Sequence, residues 1–310
     1  MATLPAEAYL NRIYAEEKIM ENLEPYLPFN EILKPIDISQ SVFNYKKREM
    51  TISEDITNAV MSEPTPVGEK TQFNNIEISN ISQEDGRSYR LGYQMKFTRD
   101  DLLQQDTAKS ELDYGYQALG YGIALATTKM ILGGLTTGTA DTYSPSITWG
   151  SDTGKQNPLQ DLRKAYFAHK DPSRPQRITD YYLNTTNVQE MLDYCDSLDI
   201  EYADDTPDVY TINKNPVRKF KIHDVESFIT EGHYLGLDTR PQTYIGADLY
   251  RTIDPKFTVQ KANPDQSGDQ TSLHIMVHDD NDTLETVVKA WLQMGIAVKE
   301  PKAIQYGSGI

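Results

Sequence analysis

A strand followed by a very long helix constrains the fold of this chain more than any other stretch. Between Tyr89 and Phe97, apolar residues alternate with mostly polar ones, which is the period of two typical of a half-buried strand. Thr98 ends the alternation, and Asp101 three residues later predicts a helix start of the capping-box kind. No proline follows before Gly133–Gly134. The sequence therefore predicts a strand and then one spine helix that runs to this glycine pair.

The second half of the spine helix, 112–132, is apolar on almost every side. One stripe at helical spacing consists of Leu112, Tyr116, Leu119, Ile123, Ala126 and Met130, and another of Tyr114, Tyr121, Leu125 and Leu132. A helix that is apolar on most sides is usually covered on most sides, so we expect both stripes to be buried. Gly115, Gly120 and Gly122 each lower helix stability, and we expect a neighbouring backbone to approach closely there.

Composition and charge exclude several classes of protein. The 310 residues carry a net charge of -16, which argues against a grip on nucleic acid by the whole protein, because such a grip needs a basic footprint. Cys195 is the only cysteine, so an intrachain disulfide and a zinc site made of several cysteines are excluded. No uninterrupted apolar run approaches the ~20 residues of a membrane span. The first ten residues also lack the order of a signal peptide, so we expect synthesis in a reducing, intracellular environment.

The N-terminal segment 1–40 predicts an arm that needs a neighbour. A helix is predicted over Ala6–Leu23, and Pro25, Pro28 and Pro35 then impose an extended course. The chain has twenty tyrosines and only eight phenylalanines, and tyrosine is enriched at protein–protein interfaces. We therefore expect the arm to pack on another subunit, with Tyr14 as a candidate contact.

Residues 41–88 predict a long polar hairpin. Two strand-like runs, Ser41–Val60 and Thr71–Ser82, flank the turn-forming stretch Met61–Lys70. An isolated two-stranded hairpin is marginal in water, so this one is expected to lie on another subunit. A surface loop with partial disorder is the alternative. The candidate contact residues are Tyr45 in the first run and Pro64, Pro66, Glu69 and Lys70 near the predicted tip.

The rest of the chain predicts a mixed α+β organisation. Helices are expected over Leu159–His169 and over Val188–Leu198 with Asn187 as the N-cap. Strands are expected at Ile178–Leu183, Val209–Ile212, Lys219–His223, Thr243–Leu249 and Leu273–Val277. Thr283–Met294 fits either a helix or a strand, and its alternation favours a strand. A short tail follows Pro301, with Gly307–Gly309 as a flexible end.

We find no motif that carries chemistry. Gly150–Lys155 lacks the spacing of a phosphate-binding loop, and the dinucleotide and nucleophile-elbow patterns are absent. His274 and His278 on one strand would lie about 13 Å apart, too far to hold one ion. His169, His223 and His233 have no neighbours in sequence that indicate a triad. The sequence therefore predicts no catalytic residue, no cofactor and no metal site.

In order and pattern, residues 30–305 resemble the major capsid proteins of tailed viruses, the Hong Kong 97-like family. The resemblance is carried by the strand and helix entry Tyr89–Leu102, by Trp149–Asp152 with Asn157–Leu162, by Arg177–Thr185 with Met191–Leu192, and by Gly295–Ile304. It implies an N-terminal arm at 1–40 and an extended hairpin loop at 41–88. It also implies a peripheral domain with the spine helix at 89–135 and 273–310, and an axial domain at 136–272.

The resemblance implies a structural protein and no enzyme. Copies of the chain would assemble as pentamers and hexamers into the icosahedral head of a tailed double-stranded DNA virus of bacteria or archaea. Assembly would take place in the host cytoplasm, with scaffolding, portal and decoration proteins as partners. The virion shell would enclose DNA without reading its sequence, and no membrane is implied. Two alternatives stay open: an encapsulin-type nanocompartment shell, and an α+β hydrolase whose site residues are scattered along the chain.

Overall fold

The structure is a computed structural model that describes part of the chain. The described residues are 12–23, 29, 32–33, 35–48, 81–98, 105–139, 142–144, 149, 157–170, 176–200, 202–206, 209–212, 221–240, 244–254, 256, 273–280 and 285–310. The predicted helix start at Asp101 and the predicted hairpin tip at Met61–Lys70 therefore lie outside the described residues.

The described elements are a mixture of helices and mostly antiparallel strands, as the α+β prediction expects. The helices are α1 (Arg12–Leu23), α2 (Gln105–Gly138), α3 (Pro158–His169) and α4 (Thr185–Ser197), with short 3₁₀ turns at Glu226–Phe228 and Pro301–Ala303. The first strands are β1 (Pro35–Ile38), β2 (Val42–Arg48), β3 (Ile81–Arg87), β4 (Tyr89–Thr98), β5 (Asp180–Leu183), β6 (Tyr202–Thr206) and β7 (Val209–Ile212). The others are β8 (Lys221–Asp224), β9 (His233–Leu237), β10 (Ala247–Thr252), β11 (His274–Asp280), β12 (Glu285–Val298) and β13 (Gln305–Ser308).

The chain divides into two compact units, and the four-part division expected from the sequence stays a prediction. The first unit comprises 1–43, 85–131 and 248–296, and the second comprises 44–84, 132–247 and 297–310. Each unit has its own sheet, with β1, β10, β12 and β11 in order in the first. A separate two-stranded sheet, β2 with β3, forms the base of the predicted hairpin.

The sheet of the first unit is built around β12. Its first ten residues pair antiparallel with β4, and its first seven pair antiparallel with β11, so β12 is a central strand. Alternate residues from Thr286 to Leu292 are buried. The choice of a strand rather than a helix for Thr283–Met294 is therefore confirmed over its described part, 285–294. β1 pairs in parallel with β10, so Pro35 begins a strand of the sheet and its missing N–H is tolerated at that first position.

Helix α2 packs one stripe and leaves part of the other uncovered. Leu112, Tyr116, Leu119 and Ile123 of the first stripe are almost fully buried. In the second stripe, however, Tyr114 is 72% and Tyr121 42% exposed, so the prediction of cover on most sides is wrong for a single chain. The close neighbours of the helix glycines are side chains of β4 rather than a backbone: a Cβ at Gly115 would meet Met95 and Phe97, and one at Gly122 would meet Tyr93.

Helix α2 also runs past its predicted end. It continues to Gly138, although each of Gly133 and Gly134 costs about 1 kcal/mol relative to alanine in a helix. Leu132 and Leu135 are fully buried, and the hydroxyls of Thr136 and Thr137 donate hydrogen bonds to the Gly133 carbonyl. Burial of the leucines on both sides of the glycine pair outweighs its low helix propensity.

Helix α1 packs against its own chain rather than standing alone. Ala15, Ile19 and Leu23 are buried. The Tyr14 hydroxyl donates to Asp113 Oδ1 at 2.7 Å, and its ring contacts Tyr116 edge-on. The described part of the predicted N-terminal helix therefore buries its apolar side chains within the first unit.

The sheet of the second unit has the order β13–β9–β5–β8–β7–β6. Every residue of β5 is buried, and this strand pairs in parallel with β8 and antiparallel with β9. β13 pairs antiparallel with β9, so the expectation of a flexible end at Gly307–Gly309 is wrong. The tail becomes a strand because the Gln305 side chain is fully buried, donating to the Ala165 carbonyl, and β9 offers a free edge to pair with.

Helices α3 and α4 pack on this sheet and carry conventional N-caps. Asn157 Oδ1 accepts from the Gln160 amide ahead of Pro158, and Asn184 Oδ1 accepts from the Thr186 amide. The prediction of Asn187 as the cap of α4 is therefore wrong by one turn. Asn187 is buried in that helix, and its Oδ1 accepts from the Gly232 amide, so it serves as a tertiary contact instead of a cap.

Candidate assembly surfaces

The base of the hairpin, β2 with β3, is the least buried sheet of the chain. Phe43 is its only buried residue among the described positions, and Val42 and Ile81 are 47% and 42% exposed. The Tyr45 hydroxyl donates to Glu84 Oε2 at 3.1 Å, and Lys47 Nζ lies 3.4 Å from Glu84 Oε1. These two polar contacts join the strands, but partly exposed pairs of this kind add little stability.

The far end of β2 is fixed within the second unit. The Arg48 amide donates to the Lys299 carbonyl at 2.7 Å, and Arg48 Nη1 lies 3.7 Å from Glu300 Oε1. The Glu300 side chain is buried. A buried carboxylate requires a partner, so this pair explains why a basic residue ends β2.

Two of the six candidate contact residues lie among the described residues. Tyr14 and Tyr45 both direct their hydroxyls to acidic side chains of their own chain, Asp113 and Glu84. Pro64, Pro66, Glu69 and Lys70 lie outside the described residues. The role of all six at a subunit contact stays a prediction.

Four exposed tyrosines on β4 and α2 mark a second candidate surface, on the first unit. Tyr89 and Tyr93 of β4 are 60% and 53% exposed, and Tyr114 and Tyr121 of α2 are similarly uncovered. The ring of Tyr93 lies against Gly122, next to Tyr121. We call these four residues the aromatic strip. The sequence identified all four side chains as apolar-face residues but did not show that the chain itself leaves them uncovered.

The sequence did not predict a buried carboxylate in the second unit, that of Asp180, which accepts hydrogen bonds from three side chains. Asp180 at the start of β5 is 3% exposed; its Oδ1 accepts from His223 Nε2 at 2.7 Å, and its Oδ2 accepts from the hydroxyls of Thr179 and Thr239. The His223 ring stacks on Tyr182. Burial alone would raise the pKa of the Asp180 carboxyl, but the hydrogen bonds from His223 and the two threonines outweigh burial and lower it.

The hydrogen bonds to the Asp180 carboxylate join neighbouring strands. The described side chains that contact this carboxylate do not form a catalytic triad. Residues 180–183 lie directly opposite residues 221–224 in the parallel pairing of β5 with β8, and Thr239 follows β9. Three neighbouring segments thus donate to one carboxylate. The only sequence signal for it was one polar residue in each of two predicted strands, Ile178–Leu183 and Lys219–His223, and this signal becomes informative only once the pairing of these strands is known.

Within the described ranges, no group of three or more histidine, cysteine, aspartate or glutamate side chains could hold a metal ion. Among the described residues, one helical stretch, Glu111–Gly138, is long and apolar enough to cross a membrane by length and composition. Half of the 18-residue window that meets this criterion is buried inside the protein, and the core helices of globular proteins meet the same criterion.

Comparison with known proteins gives a match in structure but not in sequence. No family model and no curated protein matches the chain. A virus-like particle from Pyrococcus furiosus superposes with a TM-score of 0.58 at 12% identity, over 94% of this chain and 96% of that one. The capsid of a native GTA particle matches with a TM-score of 0.58 at 8% identity, over 91% and 90%.

An encapsulin matches equally well. The SrpI encapsulin of Synechococcus elongatus PCC 7942 gives a TM-score of 0.57 at 9% identity, over 94% of this chain and 89% of that one. Identities this low establish the fold alone, but the coverage includes nearly the whole of each chain. This chain therefore has the Hong Kong 97-like capsid fold.

Proposed function

We propose that the chain is a capsid shell protein, many copies of which associate into a closed icosahedral shell. The observation that carries the proposal is that a chain with this fold leaves both the hairpin base and the aromatic strip uncovered. Aromatic side chains, tyrosine among them, are enriched at protein–protein contacts. Neighbouring copies in a closed symmetric assembly would cover them.

The more specific proposal is the major capsid protein of a tailed double-stranded DNA virus of bacteria or archaea. Pentamers and hexamers would form the virion head in the host cytoplasm, with scaffolding, portal and decoration proteins as partners. The net charge of -16 supports a wall that encloses DNA without gripping it, because phosphate repels an acidic surface. Tight binding of duplex DNA by the purified shell protein at physiological salt would contradict this part.

A cellular nanocompartment is the second candidate, and the encapsulin match favours it as strongly as the virus-like particle match favours a virus. The two candidates share the shell and differ in its contents. Shells purified from the native source separate them: double-stranded DNA inside supports the virus, and an enzyme cargo supports the nanocompartment.

Negative-stain electron microscopy with size-exclusion chromatography tests the shared proposal. We expect closed shells, or rings of five and six subunits, from the purified protein. A variant carrying Tyr114→Ser and Tyr121→Ser should remain folded and assemble less. Phe167→Ser is the matched control, because Phe167 is 58% exposed but lies outside the aromatic strip. A wild-type protein that stays monomeric at high concentration, in high salt and with scaffolding protein would overturn the proposal.

A further inference from the structure

The place where β2 and β3 meet the first-unit sheet is held by a chain of buried hydroxyl groups. Ser88, the one residue between β3 and β4, is 8% exposed, and Thr252 at the end of β10 is 7% exposed. Their hydroxyl oxygens lie 2.7 Å apart. The Ser88 amide donates to the Ser41 carbonyl, just before β2, at 2.8 Å. One residue pair therefore connects both hairpin strands to β10.

Every hydroxyl proton in this network has an acceptor. Thr252 Oγ1 donates to the Gln40 carbonyl at 3.3 Å, Ser88 Oγ can donate to Thr252 Oγ1, and Gln293 Nε2 of β12 donates to Ser88 Oγ at 3.2 Å. A fully satisfied buried network favours one geometry, because any shift leaves a buried polar atom without its partner.

An aromatic ring fills the space beside the hydroxyl network. Phe43 of β2 is buried and stacks on Tyr250 of β10, with ring centroids 4.0 Å apart. A Cβ added at Gly86 of β3 would collide with the Phe43 ring, and one at Gly295 of β12 would collide with the Arg87 carbonyl. These glycines let the two hairpin strands approach the sheet more closely than any other residue type would permit.

We propose that Ser88, Thr252, Gln293 and Phe43 form a rigid root that holds the start of β2 and the end of β3 in one geometry against β10 and β12, and that shell closure depends on this geometry. The second part rests on the proposed function. The four side chains act as positioning residues: they hold the base of the predicted hairpin, whose tip would reach a neighbouring copy. In a closed shell every copy must place its hairpin alike, since a heterologous contact with the wrong angle gives open assemblies instead of closed ones.

Thr252→Val tests the root, because it removes one hydroxyl and keeps the branched shape of the side chain. Thr127→Val is the matched control: Thr127 is also buried, lies in the same unit, and its hydroxyl donates to the helix carbonyl of Ile123, away from the root. The first readout is amide hydrogen exchange of full-length, unassembled protein at Ser88 and along 42–48 and 81–87. We expect Thr252→Val to speed exchange at Ser88 about tenfold and Thr127→Val to leave it unchanged.

The second readout is the shape of the assembled product under the electron microscope. Thr252→Val should raise the proportion of open or misshapen shells relative to both the wild type and Thr127→Val. Equal exchange at Ser88 in the two variants would overturn the rigid root. Faster exchange with normal shells would overturn its role in closure. A wild type that never assembles defeats the proposed function and with it the closure role, while the exchange comparison still decides the root.

Discussion

The six-stranded sheet of the second unit and the two-stranded hairpin base have opposite character. In the first of these, β5 is buried at all four positions, and α3 and α4 contribute Leu162, Met191 and further residues to one core. In the hairpin base, one residue of the described fourteen is buried. The first sheet completes its own core within the chain, and the second does not.

This difference distinguishes a part of the molecule that the chain stabilises by itself from a part that other copies would cover under the proposed function. Free energy of folding comes from apolar burial, which the second unit obtains by itself. The hairpin base is held by its root and by exposed polar contacts, so most of its surface is available to another copy. Substitutions in the two sheets should therefore affect different measurements.

The largest expected effect is in the second unit. Leu183→Ala in β5 removes a fully buried side chain and should lower the free energy of unfolding by about 2–5 kcal/mol. Chemical denaturation of the unassembled protein measures it. Leu198→Ala is the matched control, since Leu198 is 52% exposed. Equal losses in the two variants would contradict a self-contained core in this unit.

An intermediate effect is expected for Asp180→Asn, and it should depend on pH. Because hydrogen bonding lowers the pKa of Asp180 in the folded protein below the ordinary value of 3.8, the ionised carboxylate stabilises the fold above about pH 4. That contribution disappears as the pH falls through the folded-state pKa. We expect the variant to be less stable by about 1–3 kcal/mol at pH 7, and we expect the difference from the wild type to narrow as the pH falls below about 4.

Denaturation curves at several pH values measure this dependence. Asp193→Asn, at an exposed position of α4, provides the control for a change in net charge. A difference between wild type and Asp180→Asn that stays constant from pH 7 to pH 3 would show that the carboxylate charge does not stabilise β5.

The smallest effect is expected in the hairpin base. Tyr45→Phe removes the hydroxyl that donates to Glu84, and because this contact is partly exposed the free energy of unfolding should fall by less than about 1 kcal/mol. Thermal unfolding of unassembled protein measures it. A loss as large as that of Leu183→Ala would mean that the hairpin base carries a core of its own, and the contrast between the two sheets would fail.

Periodicity in the sequence predicted the elements whose burial pattern is local. The alternation at 89–97 and the apolar spacing of α2 and α3 were sufficient because each depends on one face packing inward. Asn187 was mistaken for a cap because Asn184, Thr185 and Asn187 are all capping types, and only the backbone geometry selects between them. The extension of α2 past Gly133 required knowledge that Leu135 is buried.

The assembly surfaces could be predicted only in part. The polar hairpin was expected from composition, whereas the exposure of Tyr114 and Tyr121 depends on which face of α2 its own chain covers. The contacts of Ser88 with Thr252 and of Asp180 with His223 join residues 164 and 43 positions apart. Long-range pairs of this kind leave no periodic pattern in a single sequence.

Hydrogen exchange compared between dispersed and assembled protein tests the central claim most directly. The account predicts that assembly slows exchange in 42–48, 81–87 and around the aromatic strip, because neighbouring copies cover these surfaces. It predicts no change in β5, which is already buried within one chain. Equal exchange of the hairpin base in both states would contradict the claim that other copies complete what this chain leaves uncovered.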